Sequence, residues 1–167
     1  MIALHELIAQ VVAANGGKVV GKTRLQKMFF LLDECGLNSG CRYGYHYYGP
    51  FSPEIAAAAE DASGLGMLEY KESAGFHAVP YGIYEARGDI EPSATAGDLK
   101  LGDLKSKLSV MKDYSAIELE VAATIVYLRN SGSQNPDKDV ALLKPLKASP
   151  ERLRRANVLL KQLGLGP

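Results

Sequence analysis

Leu4, Leu7, Ile8, Val11 and Val12 stand at i, i+3, i+4, i+7 and i+8. That spacing puts them on one stripe of an α-helix, and the stripe must be covered by another element. Asn15-Gly16-Gly17 follows as a left-handed stop. A second stripe, Leu25, Met28, Phe29 and Leu32, runs to Gly36. It is opened by Thr23-Arg24-Leu25-Gln26, which has the S/T-x-x-E/Q spacing of a capping box. A third helix is announced by Ser52 as N-cap, Pro53 at the first helical position and Glu54 near the positive end of the dipole. It continues from Ile55 through an alanine run to Gly64 and Gly66.

Between the second and third helices, Tyr43 to Tyr48 is aromatic and roughly alternating, so it reads as a short extended segment ended by Gly49-Pro50. Met67 to Tyr70 and Phe76 to Tyr84 are two β-prone stretches joined by Glu72-Ser-Ala-Gly75. Pro80 marks the second of them as an edge or a bent strand. Three helices followed by a two-stranded hairpin is the chain order of a winged helix. The expected fold is therefore α+β, mainly α, with residues 1–90 winged-helix-like and the hairpin as the wing.

Residues 91–97, rich in Pro, Ser, Thr, Ala and Gly, read as a linker. Residues 98–167 read as a helical extension packed on the first part. Leu101, Leu104, Leu108 and Met111 form one stripe, and Ser115-Ala-Ile-Glu118 is a capping box before Leu119, Val121, Ala122, Ile125, Val126 and Leu128. Asn130-Ser-Gly132 stops that helix. Ser149-Pro150-Glu151 repeats the Ser-Pro-Glu start seen at Ser52, ahead of Leu153, Ala156, Leu159, Leu160 and Leu163.

In 167 residues, 47% of them apolar, there is enough material for one compact unit. Nineteen lysines and arginines balance nineteen aspartates and glutamates, so no global field draws the chain to nucleic acid or acidic membranes. Apolar runs are broken well short of the ~18 residues a membrane span needs, and no leader pattern opens the chain. A cytoplasmic protein is expected. Cys35 and Cys41 are too few for a disulfide-stapled fold and read as reduced thiols.

Gly16-Gly-Lys-Val-Val-Gly21-Lys22-Thr23 matches the phosphate-loop pattern G-x-x-x-x-G-K-[ST] at every fixed position. Its context argues otherwise. A phosphate loop leaves a buried parallel strand, whereas the residues before Gly16 have helical periodicity. Val19 and Val20 occupy positions where the backbone must curl tightly, and no later run of four apolar residues ends in an aspartate fit to hold Mg²⁺. The segment reads as a turn between two helices with Thr23 as a cap; an NTPase working through Gly16–Thr23 is a remote alternative.

Cys35, Cys41 and His46 lack the paired short spacings of a zinc site. His5, His46 and His77 are scattered, and no nucleophile motif is present. No catalytic residue, cofactor or metal is therefore expected. Two basic groups remain: Lys18, Lys22, Arg24 and Lys27 with Arg42, and Lys144 and Lys147 with Arg152, Arg154 and Arg155. Either is a solvated helix face or a binding surface, and the binding candidates are Lys22, Arg24, Lys27, Arg42, Arg152, Arg154 and Arg155. The third helix offers Glu54, alanines, Glu60 and Asp61, which would repel phosphates in a major groove.

The stretch Gly21-Lys-Thr-Arg-Leu-Gln-Lys-Met-Phe-Phe-Leu-Leu32, followed by Tyr47-Tyr-Gly-Pro-Phe-Ser-Pro-Glu54, resembles the YwgA-like uncharacterised winged-helix proteins and the related Panacea domain of bacterial antitoxins. The resemblance is carried by about residues 18 to 70. It implies a prokaryotic winged-helix protein, and its Panacea relatives neutralise diverse toxins. Within the motif, Leu25 and Phe29 read as core, and Tyr48, Gly49, Pro50 and Ser52 as the turn that launches the third helix. The expected function is non-enzymatic binding of a macromolecule: a protein first, a toxin among the candidates, through a patch around Tyr43 to Tyr48, or alternatively DNA as a transcriptional regulator. Homodimerisation through the C-terminal helices is compatible with both.

Overall fold

The computed structural model describes residues 2–74, 80–90 and 93–167. In chain order the elements are α1 (Leu4–Ala14), β1 (Lys18–Val20), α2 (Lys22–Glu34), β2 (Gly44–His46), β3 (Gly49–Phe51), α3 (Pro53–Gly64), β4 (Leu68–Ala74), β5 (Pro80–Ala86), β6 (Thr95–Ala96), β7 (Leu99–Lys100), α4 (Leu101–Lys112), α5 (Ala116–Asn130), α6 (Pro136–Leu143) and α7 (Pro150–Gln162). The protein is thus α+β, with seven helices and three small antiparallel sheets among the described residues.

The stretch from Lys18 to Val20 is a strand and not a turn. It pairs antiparallel with β5, Val19 opposite Tyr84, giving a sheet of order β1-β5-β4. β-Branched Val19 and Val20 favour extended backbone. Gly17 (φ 86°) and Gly21 (φ 104°) turn the chain at either end. Val19 is buried and Val20 is 43% exposed, the alternation of a half-buried strand. Thr23 is not the cap of α2: the helix starts directly from Gly21, with no side-chain cap bond. Gly21 is held instead by its N–H donating to the Gly82 carbonyl at 2.6 Å.

β5 is the central strand of this sheet, yet Pro80 pairs only with Ala74 of β4 and lies beyond the end of β1. The strand has a free edge where its proline falls. Phe76, His77 and the Gly75 end of the expected loop lie outside the described residues, as do Glu91 and Pro92 of the expected linker. Ala96, near the end of that stretch, is buried, and Asp98 N–H donates to the Leu37 carbonyl.

Gly49-Pro50 does not end the extended segment. Tyr47 and Tyr48 form the turn, and Gly49-Pro50-Phe51 returns as β3. Ser52 stands at the N-cap of α3, but its hydroxyl makes no cap bond and has no partner. Its backbone is clasped by Gln26, whose amide donates to Ser52 O and accepts from Ser52 N–H, both at 2.9 Å. The Ser115 capping box does form: Glu118 N–H donates to Ser115 Oγ at 3.1 Å, and Ser115 N–H donates to the Glu118 carboxylate at 2.8 Å.

One cluster of buried side chains runs through both halves of the chain, from Leu7, Ile8 and Val12 through Leu25, Phe29 and Leu32 to Leu104, Leu119, Val126 and Leu159. At its centre is α5, buried from Glu118 to Val126 and packed against α2, α6, α7 and β3. The β2–β3 hairpin therefore rests on α5, and this contact positions the site below.

Candidate interaction site

Gly49 (φ 86°) is the point of closest approach between hairpin and helix. A Cβ there would fall 2.6 Å from Thr124 Oγ1 on α5, so only glycine allows both the left-handed turn and the contact. Opposite Tyr45, Pro50 leaves its carbonyl free to accept from Lys27 Nζ at 2.5 Å. That ammonium is on α2 and belongs to a residue only 1% exposed. Sequence grouped Lys27 with surface cations; helix α2 turns it inward beside Met28 and Phe29 instead, because the hairpin supplies an acceptor there. Burial pushes its pKa down to about 8, with Glu120 opposing and Lys144 and Lys147 reinforcing the shift.

Glu120, on α5 and 2% exposed, is shared by two ammonium groups: Lys144 at 2.9 Å and Lys147 at 3.0 Å. Lys144 also donates to the Tyr47 carbonyl at 3.2 Å. The hairpin is thus tied to α5 and to the segment after α6 through Lys144, which bridges Glu120 and the Tyr47 carbonyl, and to α2 through Lys27.

Outside this network is an open groove of about 690 Å³ between the hairpin and the 143–147 segment, lined by Tyr45, Tyr47, Leu143, Lys144, Leu146 and Lys147. Tyr47 is 92% and Leu146 90% exposed. Lys144 lies 5.6 Å from the centre of the Tyr45 ring and Lys147 4.5 Å from that of Tyr48, so both cations are set over aromatic faces. Tyr43, which sequence placed with this aromatic patch, is not part of it. Its hydroxyl donates to Asp33 at 2.6 Å and its ring meets Phe30 edge-on at 5.0 Å; burial, followed by the Asp33 charge, pushes its pKa far up.

A second cavity, of about 390 Å³, is lined by residues from both halves of the sequence motif, Thr23, Gln26 and Lys27 on one side and Tyr48 and Phe51 on the other. Leu25 and Phe29 are in the core, as read from the sequence.

The remaining basic candidates are largely engaged within the chain. Arg24 donates to the carbonyls of Met111 and Tyr114, both at 2.8 Å, at the end of α4, and burial lowers its pKa. Arg152 donates to Leu146 O at 3.1 Å, and exposed Arg154 pairs with Glu151 at 2.6 Å. Arg155 pairs with Glu118 and donates to Asp113 O. Desolvation would raise the Glu118 carboxyl, but the Ser115 N–H and the Arg155 guanidinium outweigh it and hold it below the ordinary range. Lys22 and Arg42 are exposed; Lys22 lies 5.2 Å from the centre of the Tyr70 ring. The outward residues of α3 are Glu54, Ala57, Glu60 and Asp61.

The phosphate-loop pattern spans a sheet strand, and the N–H of its second glycine, Gly21, is bound to Gly82. Among the described residues no three His, Cys, Asp or Glu side chains converge on a metal position, and no helix is long and apolar enough to cross a membrane. Sequence reasoning missed Glu120, whose lysine partners lie more than twenty residues along the chain, and Leu143 and Leu146, which fall in no periodic stripe. Pro145 between them was the available signal that this segment leaves the helix.

No known family's sequence profile matches the chain. It is similar to the uncharacterized protein YwgA of Bacillus subtilis (strain 168), with 27% identity over 149 residues covering 86% of each chain.

Proposed function

We propose that this is a non-enzymatic winged-helix protein that binds another protein, as an antitoxin-like neutraliser or adaptor, through the groove between the β2–β3 hairpin and the 143–147 segment. The order α1, β1, α2, α3, β4, β5, interrupted by the β2–β3 hairpin between α2 and α3 and with β1 added to the β4–β5 edge, supports the winged-helix reading. The observation that carries the function is the groove's rim. Tyr47, Leu143 and Leu146, each at least half exposed, line the groove together, a concentration of apolar and aromatic side chains that marks protein docking.

DNA is the second reading, resting on the same order of elements and on exposed Lys18, Lys22 and Lys71 beside the β1-β5-β4 sheet. The acidic outward face of α3 and the internal engagement of Arg24, Arg152 and Arg155 count against it. The deciding experiment is capture from native lysate with and without nuclease, using wild type and the Tyr47→Ala/Leu146→Glu double variant. A protein retained after nuclease and lost with the variant supports the proposal. Capture of defined DNA fragments that the variant leaves intact favours the regulator.

A further inference from the structure

Resting on the protein-docking reading, we infer that the occupant of this groove is an acidic segment carrying leucine or aromatic side chains, whose carboxylate meets Lys147 while its apolar residues cover Tyr47 and Leu146. The charge arrangement supplies the argument. Lys144 and Lys147, which line the groove, both donate to the buried carboxylate of Glu120. Two ammonium groups against one carboxylate leave this wall of the groove with an excess of positive charge. The bordering tyrosines and leucines exclude part of the water that would otherwise screen it.

Lys147 is placed to receive a partner's charge: its side chain is 32% exposed and its ammonium is held over the Tyr48 ring. An incoming carboxylate would find that cation already fixed, so little side-chain freedom is lost on binding. An incoming lysine or arginine would be repelled. Nucleic acid shares the negative charge but has no counterpart for the aliphatic surface of Leu142, Leu143 and Leu146, which are 72%, 53% and 90% exposed. An amphipathic helix with acidic residues beside its apolar stripe matches both features of the groove.

The test uses the full chain and three labelled amphipathic peptides of one length, with leucine at helical spacing and glutamate, glutamine or lysine at the remaining positions, followed by fluorescence anisotropy. A DNA duplex of equal label serves as the fourth probe. The glutamate peptide is expected to bind at least about tenfold more tightly than the glutamine peptide, and the lysine peptide not at all. Lys147→Glu should abolish that preference, and Leu146→Glu should weaken the glutamate peptide about tenfold or more. Leu146 projects from the surface, whereas Lys147 is 32% exposed and paired with Glu120, so Lys147→Met, which removes the cation without adding a second carboxylate, is the companion variant and should abolish the preference as well; unchanged thermal melts would show that the fold is retained.

Equal binding of the glutamate and glutamine peptides, still lost in Leu146→Glu, would overturn the acidic preference and leave protein docking standing. Tightest binding of the duplex, or a dimer in sedimentation that Leu146→Glu dissociates, would overturn the inference in favour of nucleic acid or a second copy of this chain. Binding of no peptide would overturn it as well, and the lysate capture would then judge the docking reading separately.

Discussion

At position 27 a lysine stands in the middle of an otherwise apolar helix face, with one carbonyl for a partner. Its ammonium is easier to carry in the unfolded chain, where lysine titrates near ~10.4, than in the folded one, where burial lowers the pKa to about 8. Between those values the unfolded state binds more protons, so stability rises with pH; below pH ~8 both states are charged and the contribution is flat. Urea unfolding of wild type and Lys27→Met from pH 7 to pH 10 should show the wild type gaining on the order of 2 kcal/mol relative to the variant. A parallel pair of curves would contradict a buried ammonium. Gly49→Ala combines a left-handed backbone with a Cβ 2.6 Å from Thr124 Oγ1. It should cost about 2 kcal/mol or more and loosen the hairpin, seen as faster amide exchange at Tyr45 to Phe51.

Two helices of similar sequence signature begin differently. Ser115 and Glu118 bind each other's backbone N–H at the start of α5, whereas Thr23 and Gln26, with the same spacing, do not cap α2. The difference lies in where each helix begins. Ser115 is the residue just before α5, so its hydroxyl reaches the first-turn N–H groups, whereas α2 already starts at Lys22, which places Thr23 inside its first turn and leaves Gln26 to bind the Ser52 backbone. Ser115→Ala should therefore cost about 1 kcal/mol in denaturant unfolding. The Thr23 hydroxyl carries no such bond, so Thr23→Ala, a residue of better helix propensity, should change stability by less than ~0.5 kcal/mol.

Across the whole molecule, α5 joins what composition divides at residues 91–97. It touches α2 and β3 on one side and α6 and α7 on the other, within one continuous core. A single cooperative transition is expected, coincident by far-ultraviolet circular dichroism and tyrosine fluorescence. A fragment of residues 1–90 should fail to fold, since it would expose the α2 face that α5 covers. Glu120→Gln reaches the same junction from the polar side: it leaves buried Lys144, and Lys147 beside it, without their carboxylate and should destabilise by about 3–5 kcal/mol.

Helical stripes, glycine stops and the Ser115 and Ser149 caps were legible in the sequence because each depends on residues within one turn of one another. So was the exposed character of Tyr45, Tyr47 and Tyr48, since aromatic residues crowded at a turn cannot all reach a core. The sequence could not say that Lys27 faces inward, that Val19 finds a strand partner in Tyr84, or that Glu120 gathers Lys144 and Lys147 beneath the hairpin. Those partners are far apart along the chain. Whether a lysine is a solvated charge or a buried tie depends on an acceptor such as Pro50 O, which only the packing of the hairpin on α5 brings within reach.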